Sequence, residues 1–174
     1  MLTRSGPKRM DSGGLTIGRA ALADVQGILA LAAENGPDRG GELSVRLRRE
    51  AAVARISALP CIVARREGRV IGFLLTSEAK VPCPPIVEAM LCAYSGSSGA
   101  YVYGPVCVDG TERGQGLAAA MFAELRQLLP GREGILFIKA NNEPSLRAHR
   151  KMGMRQVAEF THDGVKLIIF SYDG

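Results

Sequence analysis

Apolar residues recur along the chain at two spacings, and the switches between them mark out the elements. Residues 1–14 show neither spacing; they are polar, basic and rich in Gly and Ser, and are read as a mobile tail ahead of one domain spanning 15–174. A short strand is expected at 15–19. In ALADVQGILALAAEN, Leu22, Val25, Leu29 and Ala32 return at helical spacing until Asn35, Gly36 and Pro37 break the run. A second helix is expected from about Ser44 to Ala58. Ser44 is its candidate N-cap, Leu47, Ala51 and Ala54 share one face, and Arg46, Arg48, Arg49 and Arg55 make up a solvated remainder. CIVARREGRVIGFLLTS predicts strands at about 61–66 and 69–77 joined by a turn at Glu67 and Gly68.

The stretch 79–99 fits no simple strand pattern. Three prolines open it, Ile86, Met90 and Ala93 suggest a short helix, and Ser and Gly close it; it is read as an insertion, functional or decorative. AYVYGPVCVDG predicts a strand interrupted at Gly104 and Pro105, because a proline inside a strand removes a ladder donor and implies an edge, a bulge or a splay. GLAAAMFAELRQLL is amphipathic through Leu117, Met121, Leu125 and Leu128. A buried strand, GILFIK, follows, then a short helix in EPSLRAHRKMG stopped at Gly153, then a hairpin of MRQVAEFT and VKLIIFSY about HDG. Together these predict a mixed α and β domain without internal repeats.

Composition narrows the classes. With 174 residues, 47% apolar and 22% charged, the chain suits one soluble globular domain, since a domain takes roughly 100 to 200 residues. No apolar run approaches the roughly 20 residues that span a bilayer, and no signal-peptide core follows the N-terminus, so no membrane partner and a cytoplasmic location are expected. Cysteines at 61, 83, 92 and 107 lack zinc-clamp spacing, and only His149 and His162 could add soft ligands, so no metal is expected. The net charge of +5 would permit nucleic-acid binding, but the basic residues are scattered and aromatics make up only 5%; an anionic partner of some other kind fits better.

The passage that carries chemistry is VDGTERGQGLAAAM. A strand ends, Gly114 and Gly116 form a tight turn, and a helix starts at once, exposing backbone N–H groups and the positive end of a helix dipole that suit a phosphate. Arg113 adds a fixed charge, although glycine pairs also occur at such turns for steric reasons alone. GQGLAA also fits a loose dinucleotide fingerprint. That fingerprint wants an acidic residue about 20 positions on, where this chain has Lys139, Ala140, Asn141 and Asn142.

RGQGLA at 113–118 resembles the Arg, any, any, Gly, any, Gly or Ala signature of the GNAT superfamily of N-acetyltransferases. VCV at 106–108 and the break at Gly104 and Pro105 resemble its splayed central strand, and NNEPSLRAHRKMGM at 141–154 resembles its second motif; the likeness covers about 15–172. It implies a mixed α+β fold whose mostly antiparallel central sheet is splayed at the fourth strand and flanked by helices. It also implies acetyl-CoA, or another acyl-CoA, as co-substrate. Arg113, Gly114, Gln115, Gly116, Leu117 and Ala118 would hold the pyrophosphate, Val106, Cys107 and Val108 the pantetheine arm and thioester carbonyl, and Asn142, Ser145 and Arg150 would add further cofactor contacts. Lys139, Arg147, Arg150, Lys151 and Arg155 against Glu143 would tie part of the charge excess to the phosphates.

The resemblance implies direct transfer to an amine, with Cys107 filling a strand position rather than attacking. His149 stands where many members have a Tyr that protonates the departing thiolate, so His149 is the candidate acid; alternatively it packs beside the thiol and another group, such as Tyr103 or water, gives the proton. No base is identified: Glu34, Glu78 and Glu88 border the acceptor side by resemblance and read more simply as surface carboxylates. The acceptor is open among small amines, amino acids, antibiotics and protein amines, with 79–99 expected to shape its pocket. A homodimer through the final hairpin or helix edges is left open, as is a domain of this fold that binds acyl-CoA without turning it over.

Overall fold

The computed structural model describes residues 8–9, 13–36, 39, 43, 46–80 and 82–174. They fall into two compact units, Met1–Thr76 with Gly104–Leu128, and Ser77–Tyr103 with Leu129–Gly174.

The first unit contains β1 (Lys8–Arg9), β2 (Leu15–Arg19), α1 (Val25–Glu34), α2 (Arg49–Ala58), β3 (Ile62–Arg66), most of β4 (Arg69–Glu78), the second part of β5 (Tyr101–Val108) and α4 (Leu117–Leu128). Its strand order is β1-β2-β3-β4-β5, with antiparallel pairing from β1 to β4. Val63 lies opposite Phe73 and Ala64 opposite Gly72, so alternation sends these pairs to opposite faces. Val63, Phe73 and Leu75 pack with Val25, Ile28, Leu31 and Ala32 of α1 and with Ala52 and Ile56 of α2. On the other face, a side chain at Gly72 would meet Met121 of α4 at 3.2 Å. Helices on both faces explain why β3 and β4 are continuous apolar runs.

Two helix expectations are corrected here. Leu22 is 60% exposed because residues 22–24 form a separate 3₁₀ turn, and the buried face of α1 is Val25, Ile28, Leu31 and Ala32. Helix α2 begins at Arg49, since Arg48 is extended (φ −96°, ψ 152°), so Leu47 precedes the helix. Ala52 and Ile56, rather than Ala51 and Ala54, face the core. Ser44, the expected cap, lies outside the described residues, as does most of the expected tail; within it, Lys8 and Arg9 pair with Ile17 and Thr16.

The second unit contains α3 (Pro85–Ala93), the first part of β5, β6 (Glu133–Lys139), α5 (Glu143–Lys151), β7 (Arg155–His162) and β8 (Val165–Asp173). Its order is β5-β6-β8-β7. Tyr101 and Val102 run parallel to Gly134 and Ile135, while β6–β8 and β8–β7 are antiparallel. Val87 and Met90 of α3 share a buried cluster with Ala100, Val102, Ile135 and Ile169, so the segment read as an insertion supplies part of this core. The architecture is the expected mixed sheet with flanking helices. The strand expected as the fourth is β5, because Lys8–Arg9 adds one ahead of it. No helix among the described residues is long and apolar enough to cross a membrane.

Candidate active site

In the first unit, Val106, Cys107 and Val108 close β5 and lead into a braced turn. The Asp109 side chain accepts from the Thr111 N–H (2.9 Å) and hydroxyl (2.7 Å), and the Asp109 N–H donates to the Ile71 carbonyl (2.8 Å). These bonds and the Arg69 guanidinium, 3.3 Å away, hold the Asp109 carboxyl below its ordinary range. Glu112 is buried and grips Arg66 in a two-pronged contact, both bonds at 2.9 Å, which lowers its pKa as well. The loop is thereby pinned by two arginines from the ends of β3 and β4.

Beyond it, Arg113, Gly114, Gln115 and Gly116 are exposed, Leu117 is buried and Ala118 is half-buried. Gly114 and Gly116 both have φ +76°, and a Cβ at either would meet nothing within 4 Å. Their requirement is therefore conformational, and the space outside them is open. The first α4 bond runs from the Ala120 N–H to the Gly116 carbonyl, so the N–H groups of Leu117, Ala118 and Ala119 precede the intrahelical ladder. Arg113 donates from Nε to the Val108 carbonyl (3.3 Å) and from Nη2 to Asn35 Oδ1 (2.7 Å), which fixes its guanidinium beside the turn. Burial pushes the Cys107 thiol up to about 11, leaving it protonated and a poor nucleophile at neutral pH.

In the second unit, Asn142 caps α5, its Oδ1 accepting from the Ser145 N–H at 3.3 Å. Pro144 follows in the first turn, where its missing N–H costs nothing. One turn later His149 is buried, with Nδ1 2.8 Å from the Ser145 carbonyl and 3.3 Å from the Ser145 hydroxyl. A carbonyl only accepts, so Nδ1 carries the proton and Nε2 holds a lone pair. Burial lowers the His149 pKa, opposed in part by the bond to Ser145, so the ring is neutral at pH 7. Tyr103 stands edge-on to His149 with ring centroids 5.8 Å apart, and burial raises its phenol above the usual range. Tyr172 touches both Tyr101 and Tyr103 edge-on. The Arg150 guanidinium lies 5.8 Å from the Phe170 ring centroid.

The structure thus gathers the 106–118 residues in one unit and Tyr103, Asn142, Ser145, His149 and Arg150 in the other. Of the three carboxylates expected to border the acceptor side, Glu34 and Glu88 are exposed and Glu78 is bonded to Arg132 at 3.1 Å. The sequence reading missed Arg66, Arg69, Asp109 and Glu112. Asp109 has a local signal, an Asx turn to Thr111, whereas Arg66 and Glu112 are 46 positions apart and nothing in the sequence pairs them.

A sequence model of the acetyltransferase (GNAT) family matches residues 25–154, three quarters of the chain and both units, and the protein belongs to that family. Among curated proteins, none matches the chain. Solved structures share the fold. A GNAT-family acetyltransferase from Streptococcus agalactiae superposes with a TM-score of 0.71 at 16% identity, over 92% of this chain and 96% of that one. YncA of Salmonella typhimurium, a putative acetyltransferase solved with acetyl-CoA, gives 0.66 at 16%, over 91% and 93%. A phosphinothricin acetyltransferase from Sinorhizobium meliloti, in complex with acetyl-CoA, gives 0.66 at 20%, over 92% and 88%.

Proposed function

We propose that the protein transfers an acetyl group from acetyl-CoA directly to a primary amine. The observation that carries this reading is the braced turn from Asp109 to Ala118: two glycines at φ +76°, open space outside them, and three backbone N–H groups ahead of the α4 ladder. Such a helix start stabilises a nearby anion by about 0.3 to 1 kcal/mol, and by up to about 2 in sheltered geometry. Arg113, Gly114, Gln115, Gly116, Leu117 and Ala118 are assigned to the pyrophosphate, Val106, Cys107 and Val108 to the pantetheine arm and thioester, and Asn142, Ser145 and Arg150 to further cofactor contacts.

In the reaction the amine lone pair attacks the thioester carbonyl carbon. The C–N bond forms, the C–S bond breaks, the nitrogen loses a proton and the thiolate gains one. Of the two, Tyr103 is the group that holds a proton to give at neutral pH, although burial also makes its phenol a weaker acid. The Tyr103 phenol keeps its proton across the neutral range, whereas His149 Nε2 carries one only in the cation that burial disfavours. His149 then acts as a neutral neighbour whose ring is held by Ser145.

The same neutral, buried His149 supports a second reading, a domain that binds acyl-CoA without turnover. Calorimetric titration with acetyl-CoA, followed by thiol release across a panel of amines, separates the two. Saturable binding with amine-dependent release is the expected result, and binding with no release from any amine would favour the sensor.

A further inference from the structure

We infer that the amine acceptor also carries a carboxylate, and that the guanidinium of Arg55 receives it. This rests on the transferase reading above and names the acceptor's chemical class.

Five arginines have acidic partners. Arg65 pairs with Asp24, Arg66 with Glu112, Arg69 with Asp109, Arg132 with Glu78 and Arg155 with Asp173. Arg55, in the last turn of α2, is different. It is half-buried, and among the described residues it makes one hydrogen bond, from Nη1 to the Gly104 carbonyl at 2.9 Å, and no ion pair. A guanidinium does not deprotonate in a protein, so its charge is offset here only by the Gly104 carbonyl and the C-terminal end of α2, and an incoming anion would complete its pairing.

The titratable neighbour of Arg55 does not provide that anion. Cys61 is fully buried and its thiol is pushed up by that burial, so it stays neutral. The same thiol feels the positive charge of Arg19 as well as that of Arg55, so the surroundings are electropositive. Arg55 spends one Nη1 proton on Gly104. Its Nε–H and the adjacent Nη2–H form the parallel fork that a carboxylate accepts in a two-pronged contact.

The position fits an acceptor. Gly104 lies two residues before Val106, where the segment assigned to the thioester begins, and Pro105 between them has no N–H with which to bind an anion. Arg55 therefore places a donor beside this point of β5. An amino acid is the simplest molecule with an amine and a carboxylate on one short frame.

The test pairs L-amino acids with their C-terminal amides and follows thiol release from acetyl-CoA. Wild type is expected to prefer an acid over its amide by a factor of about 10 to 100 in kcat/KM, the size of a charge-assisted hydrogen-bonded pair. In R55Q that ratio is expected to fall towards one, and R55K, which keeps the charge without the fork, should retain part of it. Equal use of acids and amides by wild type overturns the inference. So does an R55Q variant that slows acid and amide by the same factor, which would make Arg55 a brace for Gly104 alone. If R55Q fails to fold, R55K and the wild-type ratio decide. Thiol release with amides only overturns the acceptor and leaves the transferase reading standing, whereas no binding of acetyl-CoA overturns both.

Discussion

Replacing Glu133 by glutamine tests how the 79–99 segment is held to the second unit. The Glu133 carboxylate is buried at the start of β6 and accepts from the Ser97 N–H (2.6 Å), the Tyr94 hydroxyl (2.8 Å) and the Ser171 hydroxyl. Burial alone would raise its pKa, but the bonds from Ser171, Ser97 and Tyr94 outweigh it and bring the group from the ordinary 4.5 to about 2. That difference corresponds to about 3 kcal/mol of stability at pH 7, taking about 1.4 kcal/mol per pKa unit. Because the folded value is the depressed one, the contribution is complete above the unfolded pKa and is lost as the pH falls from 4.5 towards 2. Glutamine keeps one acceptor oxygen but turns an N–H pair towards the donors. Urea unfolding of wild type and E133Q should show a gap of about 3 kcal/mol at pH 7, shrinking to less than half of that at pH 3. A gap that is the same at both pH values, or an E133Q protein as stable as wild type at pH 7, would refute the charge-based tether.

Three further outcomes are expected. Gly116→Val forces a branched side chain into φ +76° with no clash to relieve; it should cost about 1 to 2 kcal/mol of stability and weaken acetyl-CoA binding by calorimetry, and an unchanged Kd would remove the turn from the cofactor site. Tyr103→Phe should lower kcat about 100-fold or more with the acetyl-CoA Kd held, and His149→Gln should lower it less; a wild-type rate that climbs below pH 6.5 and loses that climb in H149Q would hand the donor role to His149. Since the folded pKa of His149 lies below 6.5, the unfolded chain binds its proton first, so stability should drop as the pH falls through 6.5 and this component should vanish in H149Q, read as urea midpoints at several pH values.

Much of this architecture is legible in the sequence because its signals are local. Alternation and turn residues give the two hairpins, 3.6-residue spacing gives α4, and the glycine pair at 114 and 116 marks the turn leading into it. What is not legible depends on distant parts of the chain. The start of α2 is set by the backbone at Arg48, and its buried face by Ala52 and Ile56 against β3 and β4, although Leu47 continues the apolar spacing. Likewise, Arg66 and Arg69 look like hairpin surface residues until the fold sets Glu112 and Asp109 against them. The Glu133 tether joins segments more than 30 positions apart, so the sequence alone makes 79–99 look detached when Val87 and Met90 are core. His149 is visible as a residue, but its proton location is not, because that follows from a carbonyl one turn back and from its burial.

The central claim is acetyl transfer to nitrogen, and the most direct measurement is product analysis after incubation with acetyl-CoA and an equimolar set of amino acids and simple amines. Mass spectrometry of the amines and thiol titration of the same mixture should show one free CoA thiol for each nitrogen acetylated. Thiol released as acetate is formed, with no acetylated amine, or bound acetyl-CoA that stays intact with every amine, would contradict the account.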